Sequence, residues 1–353
     1  MIELDALDQG LVHALHLDGR VPFSRVAEAL GSSEQTIARR YRRLRAEAGL
    51  RVVGLPVPER VGGSQWMVRL TTAPAATRNL AEALARRPDT SWVQLISGGT
   101  EVSAVLTTPG AGESSPSLLL HDLPRKAGIT AVSAYCLLHT YLGGPTAWPG
   151  RLHGLDERQC ELIRPSDGVP GGADTGAGTG TGTAAGAPVG GAEPFPSTVP
   201  RPLVGAESAL VAALGRDGRA SYAELASSTG LSQATVARRL AGLRADGALF
   251  FDVDLSSTVL GVSAQALLWL AVAPDRLDGV ARAMAGHPEL AAVFATTGRT
   301  NLMAKALCDS PAELHRYLTG RLSAIDGIQS LETAPVLQRV KGVGPHWAAG
   351  RVG

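Results

Sequence analysis

The chain has 353 residues, of which 44% are hydrophobic and only 4% aromatic, and its formal net charge at pH 7 is +1. This composition is typical of a soluble globular protein with several domains, and the near-zero net charge excludes a general attraction to nucleic acid, so any DNA-binding surface must be local. The three cysteines lack C-x-x-C spacing, which argues against a disulfide framework or a zinc site, and no apolar run reaches the roughly 18 residues of a membrane-spanning helix, so we expect a cytoplasmic protein.

Residues 1–54 have the pattern of a helix-turn-helix domain of the winged type. Leucines from Leu4 onward recur at helical spacing, and a second apolar stripe runs over residues 23–30. Gly31 then stands where the chain must turn sharply, and Ser33 is typical of the residue that caps the start of a helix. Two helices joined by a short glycine-containing turn form the unit that places its last helix in the major groove of DNA. We therefore predict that the helix after Ser33 reads DNA.

The outward face of this third helix is polar and strongly basic. Side chains of Ser, Gln and Thr in its first turn can reach base edges, and arginines further along can bind phosphates or guanine. Between Asp18 and Arg51, eight arginines outnumber four acidic residues, so the weakly charged chain contains a local basic patch. The alternative for this one helix is the solvated face of a protein-interaction domain. The predicted DNA-binding residues are Ser33, Gln35, Thr36, Arg39, Arg40 and Arg43.

A strand-rich segment follows over residues 62–143. Strand and helix patterns alternate in the order β-α-β-β-α-β, which predicts a ferredoxin-like α+β sandwich. Gly98 and Gly99 fit a tight turn between two of its strands. The predicted elements are strands at 65–72, 91–97, 101–108 and 129–142, and helices at 75–87 and 117–127.

Residues 144–202 are predicted to link the two halves of the chain. The last part, 165–202, is dominated by Gly, Ala, Thr and Pro and lacks the apolar residues of a core, so we expect a disordered connection with a reach of about 35 Å. Its G-x-G-x-G string lacks the flanking strand and helix of a phosphate-binding loop. Residues 151–165 are amphipathic and predict a short helix packed on a neighbouring element.

The second half of the chain repeats the first. Residues 18–50 align with 217–249 at a constant offset of 199, and 14 of 33 positions are identical, including D-G-R, the turn glycine and S-x-x-T-x-A-R-R. We predict a second helix-turn-helix over 203–253 and a second ferredoxin-like domain over 262–343. Two copies of the basic helix favour DNA binding over the protein-interaction alternative. The DNA-binding residues predicted in the second copy are Ser232, Gln233, Thr235, Arg238, Arg239 and Arg244.

The two halves resemble a known family. The paired D-G-R…S-x-x-T-x-A-R-R segments and the two β-α-β-β-α-β segments look like the Lrp/AsnC (leucine-responsive/asparagine-regulator) transcription factors of bacteria, in a tandem-duplicated form, and they cover nearly all of the chain except the linker. The resemblance implies that the ferredoxin-like domains pair, assemble further and bind amino acids or similar small effectors near the turn between their second and third strands. By position, the implied effector-binding residues are Gly98, Thr100, Glu101, Gly298, Thr300 and Asn301.

Two of these positions depart from the family pattern. Many members carry Asp where this chain has Glu101 and Asn301. A carboxylate suits an ammonium group, whereas Asn301 keeps hydrogen bonding and loses the charge. The difference weakens the expectation of amino-acid binding by the second copy, and the same turns also fit plain hairpins in which glycine serves only the geometry.

Together these features predict a DNA-binding transcriptional regulator. We expect it to bind double-stranded DNA through two recognition helices and to respond to a small effector, without a metal, a cofactor, a membrane contact or an enzymatic activity. The two ferredoxin-like domains of one chain are expected to pair as an internal pseudo-dimer, with further homo-oligomerisation. Because the two recognition helices differ, we predict an imperfect palindrome as the binding site. The alternative is an enzyme similar to siroheme decarboxylases, which share this architecture.

Overall fold

Both halves of the chain begin with the same succession of three helices, two strands, one helix and two strands. The computed structural model describes residues 3–108, 128–144, 154–164 and 200–344. The first half contains α1 (Ala6–Leu17), α2 (Phe23–Ala29), α3 (Glu34–Glu47), β1 (Arg51–Pro56), β2 (Ser64–Thr72), α4 (Pro74–Ala85), β3 (Thr90–Ile96), β4 (Glu101–Thr108), β5 (Ile129–Leu142) and α5 (Glu157–Ile163). The second half contains α6 (Ala206–Arg216), α7 (Tyr222–Thr229), α8 (Gln233–Ala245), β6 (Leu249–Asp254), β7 (Ala264–Val272), α9 (Leu277–Ala285), β8 (Leu290–Thr296), β9 (Leu302–Cys308), α10 (Pro311–Arg316) and β10 (Ile328–Arg339).

Both recognition helices begin where the sequence predicted. The hydroxyl of Ser33 accepts a hydrogen bond from the backbone N–H of Thr36 at 3.2 Å, and the hydroxyl of Ser232 accepts one from Thr235 at 3.2 Å. The turn before α3 contains Gly31 at φ 61°, a left-handed conformation that favours glycine. The apolar stripes of α3 and α8 are buried as expected, through Ile37, Tyr41, Leu44, Val236, Leu240 and Leu243.

The helix α1 begins after Leu4 rather than at it. The carboxylate of Asp5 caps the helix by accepting a hydrogen bond from the N–H of Asp8 at 2.9 Å, and Asp8 accepts one from the N–H of Asp5 at 3.3 Å. This reciprocal cap fixes the start of the helix, and Leu4 packs beside it on the core of the first helix-turn-helix. The cap also places the Asp8 side chain in the interior, where it is fully buried.

The four strands of each half form an antiparallel sheet in ferredoxin-like order. The first sheet runs β3-β4-β2-β5 and the second runs β8-β9-β7-β10. Alternate side chains of each strand face a covering helix, α4 in the first half and α9 in the second, and form an apolar core with it. The fold is therefore the predicted one, in which helix-turn-helix units alternate with ferredoxin-like sandwiches.

The two sheets join at both edges. β10 pairs with β3, where Val336 lies opposite Ile96, and β5 pairs with β8, where Leu137 lies opposite Thr296. The eight strands thus form one closed sheet, in which every strand has two neighbours. This pairing within one chain is the arrangement expected of the internal pseudo-dimer. The closed sheet encloses an apolar cluster, the seam core, made of Met67, Ile96, Val105, Leu137, Leu267, Trp269, Met303 and Ala334.

A two-stranded ribbon connects the helix-turn-helix units, and the sequence analysis did not predict this pairing of strands between the two copies. β1 pairs antiparallel with β6, from Arg51 opposite Asp254 to Pro56 opposite Leu249. Phe251 in this ribbon packs against the cores of both helix-turn-helix units. The ribbon therefore holds the two units side by side above the closed sheet formed by the other eight strands.

The amphipathic segment before the linker forms α5, which packs on the first helix-turn-helix. Ile163 is fully buried in its core, and Gln159 Nε2 donates a hydrogen bond to the carbonyl of Ala29 at 2.8 Å. Most of the predicted linker and the helix predicted at 117–127 lie outside the described residues. Within the described ranges, no helix has the length and apolar character needed to cross a membrane, and no group of three or more His, Cys, Asp and Glu side chains could hold a metal ion.

Candidate nucleic-acid interface

Arg39 and Arg238 occupy equivalent positions on the outward faces of α3 and α8. Both side chains are exposed, and neither forms an ion pair with any residue that the structure describes. Gln35 on α3 and Gln233 on α8 are also exposed, in the first turn of each helix. The two arginines are at matching places on the two units, whereas the two glutamines stand one position apart in the aligned first turns. All four present long polar side chains on the outward faces of the helices, as a surface that reads DNA requires.

The predicted hydroxyl contacts already belong to the helix caps. Ser33 Oγ and Thr36 Oγ1 lie 2.9 Å apart, and so do Ser232 Oγ and Thr235 Oγ1. A hydroxyl oxygen accepts through two lone pairs, so capping leaves each group able to make one more contact. The caps hold these hydroxyls at the N-terminal end of the recognition helix, where base edges would approach.

Two predicted DNA-binding arginines of α3 are bound by acidic residues at the N-terminal end of α1. Arg40 Nη1 lies 2.6 Å from Asp5 Oδ2 and 3.0 Å from Asp8 Oδ1, and Arg43 forms a further ion pair with Asp8. The hydrogen bonds that Arg40 donates to Asp5 and Asp8 raise the pKa of Arg40 above its usual value. Asp8 is fully buried, so this carboxylate joins both arginines to the interior of the unit. The basic patch of the first unit is therefore smaller than its count of arginines indicates.

The second unit lacks this arrangement. At an offset of 199, Val204 and Glu207 replace Asp5 and Asp8, and Glu207 pairs with Arg201 at 2.7 Å instead of with α8. Arg239 is half-buried and forms no ion pair with a described residue. The second recognition helix has fewer arginines than the first, but it keeps a larger share of them available to an external phosphate.

Replacing Asp8 by asparagine is expected to destabilise the fold and to strengthen any binding to DNA. The change keeps a cap acceptor but removes the counter-charge of Arg40 and Arg43, at a cost of about 1–2 kcal/mol because both arginines are partly solvent-screened. Urea denaturation measures the loss, and the matched control is Glu47→Gln, an exposed acid at the end of α3. Equal unfolding free energies for Asp8→Asn and the control would refute the assigned ion pairs.

Arg244, another predicted DNA contact, faces the other unit. Its Nη2 atom lies 3.2 Å from Asp18 Oδ1, and its guanidinium carbon lies 5.6 Å from the centre of the Phe251 ring. The equivalent residue of α3, Arg45, lies 3.1 Å from Asp217 Oδ2. Each recognition helix thus contributes one arginine to an ion pair across the two units. The sequence contained a signal for these ion pairs, because both copies have the D-G-R aspartate and the arginine that pairs with it.

The first predicted effector turn lies where the two sheets meet. Glu101 is buried and accepts two hydrogen bonds from Arg69, of 3.0 and 2.8 Å. Burial raises the pKa of Glu101, but the hydrogen bonds and the charge of Arg69 outweigh burial and lower that pKa overall. Arg69 also lies 2.6 Å from Glu332 of the second half. The Glu101 carboxylate is thus bound within the chain, whereas Gly98 and Thr100 beside it are exposed.

The second predicted effector turn differs in its available groups. Asn301 Oδ1 accepts a hydrogen bond from the N–H of Val272 and Asn301 Nδ2 donates one to its carbonyl, both at 2.9 Å. Thr300 Oγ1 is buried and has no hydrogen-bond partner among the residues described. Gly298 is exposed at φ 107°, and a Cβ there would lie 2.9 Å from the Tyr135 ring of the first half. The amide of Asn301 thus serves the local backbone, and among the polar groups of this turn the Thr300 hydroxyl makes no hydrogen bond to a described residue.

Comparison with known proteins identifies the family of both halves. The Lrp/AsnC ligand binding domain matches residues 265–344, and the AsnC-type helix-turn-helix domain matches 4–45 and again 208–244. The regulatory protein AsnC of Escherichia coli is 30% identical over 132 residues, which are 36% of this chain and 86% of AsnC. The HTH-type transcriptional regulator FL11 of Pyrococcus horikoshii is 28% identical over 141 residues, 40% of this chain and 93% of FL11. The chain belongs to the Lrp/AsnC family, as a tandem-duplicated member.

A solved structure also matches nearly the whole chain. The siroheme decarboxylase NirDL has a TM-score of 0.60 and 14% sequence identity, over 96% of this chain and 93% of that chain. At this identity the likeness concerns the fold alone. It extends over both halves, so the arrangement of two helix-turn-helix units and two ferredoxin-like domains in one chain has a solved precedent.

Proposed function

We propose that this protein is a sequence-specific transcriptional regulator that binds double-stranded DNA through α3 and α8. The observation that carries the proposal is the pair of exposed, equivalently placed arginines, Arg39 and Arg238, on capped recognition helices that one chain holds together. Of the other predicted DNA-binding residues, the Ser and Thr hydroxyls cap and position the helices, and Arg40, Arg43 and Arg244 are bound to acidic partners. Gln35 and Gln233 are exposed, and Arg239 is half-buried without an ion pair to a described residue. Since Gln35 of the first helix corresponds to Ala234 of the second, the two half-sites should differ.

Binding to the DNA upstream of its own gene, measured across a salt series, tests the proposal. The logarithm of the association constant should fall linearly with the logarithm of the salt concentration, by about 0.9 for each phosphate contacted. A duplex of the same length and composition but scrambled sequence is the control, and it should bind at least tenfold more weakly. An association constant that does not change with salt concentration, or one that is equal for both duplexes, would refute the proposal of a sequence-specific regulator.

We further propose that a small effector binds at the turns where the two sheets meet. The exposed Gly98, Thr100 and Gly298 and the unpartnered hydroxyl of Thr300 support this site. Glu101 and Asn301 would act there by shaping the turns, because their polar groups are bound within the chain. The same DNA-binding assay, repeated with each amino acid added, would show effector action as a shift in affinity that Thr300→Val abolishes. No shift with any amino acid would exclude amino acids as effectors.

The alternative is an enzyme with the fold of the siroheme decarboxylase NirDL. Such an enzyme would bind a coloured tetrapyrrole and would have no need of exposed arginines on α3 and α8. We propose that the chain is not an enzyme, because both copies keep those arginines. The visible absorption spectrum of the purified protein separates the two functions, since a tetrapyrrole that co-purifies would favour the enzyme.

A further inference from the structure

The two D-G-R motifs bind each other across the helix-turn-helix units. Arg20 Nη1 donates to the carbonyls of Gly218 and Ala220, at 2.6 and 3.0 Å. Arg219 returns the contact, since its Nη1 donates to the carbonyl of Gly19 at 2.8 Å and its Nη2 donates to that of Val21 at 2.9 Å. Each arginine thus binds the backbone of the other copy's motif, and we call this reciprocal contact the arginine clamp.

Each clamp arginine also stacks on aromatic rings of the other unit. The guanidinium carbon of Arg219 lies 4.4 Å from the centre of the Phe23 ring and 5.5 Å from that of Tyr41. Arg20 lies 5.4 Å from the centre of the Tyr222 ring. Burial lowers the pKa of both arginines, although nearby acids and tyrosines partly offset the effect. A planar group with five donors can stack and bind carbonyls at once, which a lysine ammonium cannot do.

The glycines of the two motifs allow the backbones to approach. A Cβ on Gly19 would lie 2.6 Å from the Cβ of Phe251, and one on Gly218 would lie 3.0 Å from the backbone of Val52. The N–H of Gly218 also donates to the carbonyl of Val52 at 2.7 Å. Glycine is therefore required here for close packing between the units, and both copies retain it.

The clamp reaches the recognition helices directly. Tyr41, on which Arg219 stacks, belongs to α3, and the motif aspartates pair with Arg45 of α3 and with Arg244 of α8. Each motif therefore contacts the recognition helix of the opposite unit. A rigid link of this kind sets the distance and the angle between α3 and α8 before any DNA is bound.

We infer that Arg20 and Arg219 are positioning residues that preset the spacing of the two recognition helices, so that one chain is a complete DNA-reading unit with a fixed half-site separation. The consequence for DNA rests on the proposed function, but the preset spacing is a property of the protein alone. The arginines act through the helices that they hold, and they need not touch DNA themselves.

Distances between spin labels on the two helices, measured without DNA, test the preset spacing. Labels are placed at Glu34→Cys and Gln233→Cys, both exposed, in a chain in which the partly accessible Cys136 and Cys160 are replaced by serine. A narrow distance distribution is expected for the otherwise unchanged chain. Three clamp variants are compared with it: Arg20→Ala with Arg219→Ala, Arg20→Lys with Arg219→Lys, and Arg20→Ala alone.

Both double variants should at least double the width of the distribution, because lysine keeps the charge and loses the planar fork. If the double alanine variant fails to fold, the single variant Arg20→Ala is expected to broaden the distribution in the same direction. The exposed Arg216→Ala, which removes one charge from α6 beside the second motif, should leave the width unchanged. Folded clamp variants with the original narrow distribution would overturn the inference.

A second measurement connects the clamp to DNA. The bound sequence within the upstream DNA is first located by footprinting. Base pairs are then inserted one at a time between its two half-sites, and affinity is measured for each length. The unchanged protein should lose at least tenfold in affinity when the half-sites are rotated by half a helical turn, whereas the lysine clamp variant should lose less than threefold, with the same salt dependence. If the unchanged protein binds no DNA, the proposed function is wrong. The distance measurement without DNA still tests whether Arg20 and Arg219 fix the spacing of the two helices. Equal spacing preferences in both proteins would overturn the inference.

Discussion

Replacing Arg39 and Arg238 together by alanine is expected to weaken binding to the upstream DNA by about 30- to 1000-fold at fixed salt. An arginine that contacts a base edge contributes about 1–3 kcal/mol. At about 1–2 kcal/mol for each arginine, the lower part of this range, the pair contributes about 2–4 kcal/mol, which is about 30- to 1000-fold in affinity. Neither guanidinium is held by an acidic partner among the described residues, so truncation should cost the fold little. Fluorescence anisotropy with a labelled duplex measures the affinity, and the unfolding free energy of the variant should stay within about 0.5 kcal/mol of the original.

The matched control removes two exposed arginines from the ferredoxin-like domains. Arg78 lies on α4 and Arg276 lies just before α9, and both are exposed. Their double alanine variant has the same net charge as the recognition-helix variant, so the comparison separates position from charge. A similar loss of affinity in both double variants would mean that binding results from non-specific electrostatic attraction between the protein and the DNA phosphates, rather than from contacts of α3 and α8.

The helices and most strands could be predicted because their signals are local. The stripe of Ile37, Tyr41 and Leu44 repeats at helical spacing, and the Ser33 cap precedes it directly. The ribbon of β1 and β6 escaped prediction because it is short and contains Gly54 and Pro56, and because its partner strand lies about two hundred residues away. The pairing partner of a strand leaves no local pattern in the chain.

The sequence indicated which residue types lie on the candidate recognition helices, but it did not indicate which acidic residues pair with their arginines. A count of charges along α3 identified a basic helix, but it did not identify the acidic residues that form ion pairs with Arg40 and Arg43. Asp5 caps α1 and Asp8 lies on it, more than thirty residues earlier in the chain, and both reach α3 only after the helices pack. Arg244 likewise finds Asp18 in the other half of the chain. Side-chain partners across elements depend on tertiary packing, which a single sequence does not reveal.

The seam core shows what duplication within one chain permits. Arg69 and Trp269 stand at equivalent positions of the two halves, at an offset of 200, and the Arg69 guanidinium carbon lies 4.8 Å from the centre of the Trp269 ring. In a dimer of identical chains both positions would hold the same residue, two arginines or two tryptophans. Fusion of the copies lets a cation stack on an aromatic ring where the two sheets meet. The joint therefore favours the pairing of a first half with a second half over the pairing of two identical halves.

Trp269→Ala is accordingly expected to destabilise the protein by about 3–5 kcal/mol, because a large side chain with 1% exposure leaves a cavity where the two sheets meet. Guanidinium denaturation, followed by circular dichroism, measures the change. Trp269→Phe, which keeps an aromatic ring under Arg69, should recover more than half of the loss, and Leu138→Ala, at a site 57% exposed on β5, should cost less than about 1 kcal/mol. If Trp269→Ala lowers the free energy of unfolding by no more than Leu138→Ala does, the two sheets do not pack on each other as described. The inferred fixed spacing of α3 and α8, which depends on the pairing of the two halves, would then be wrong.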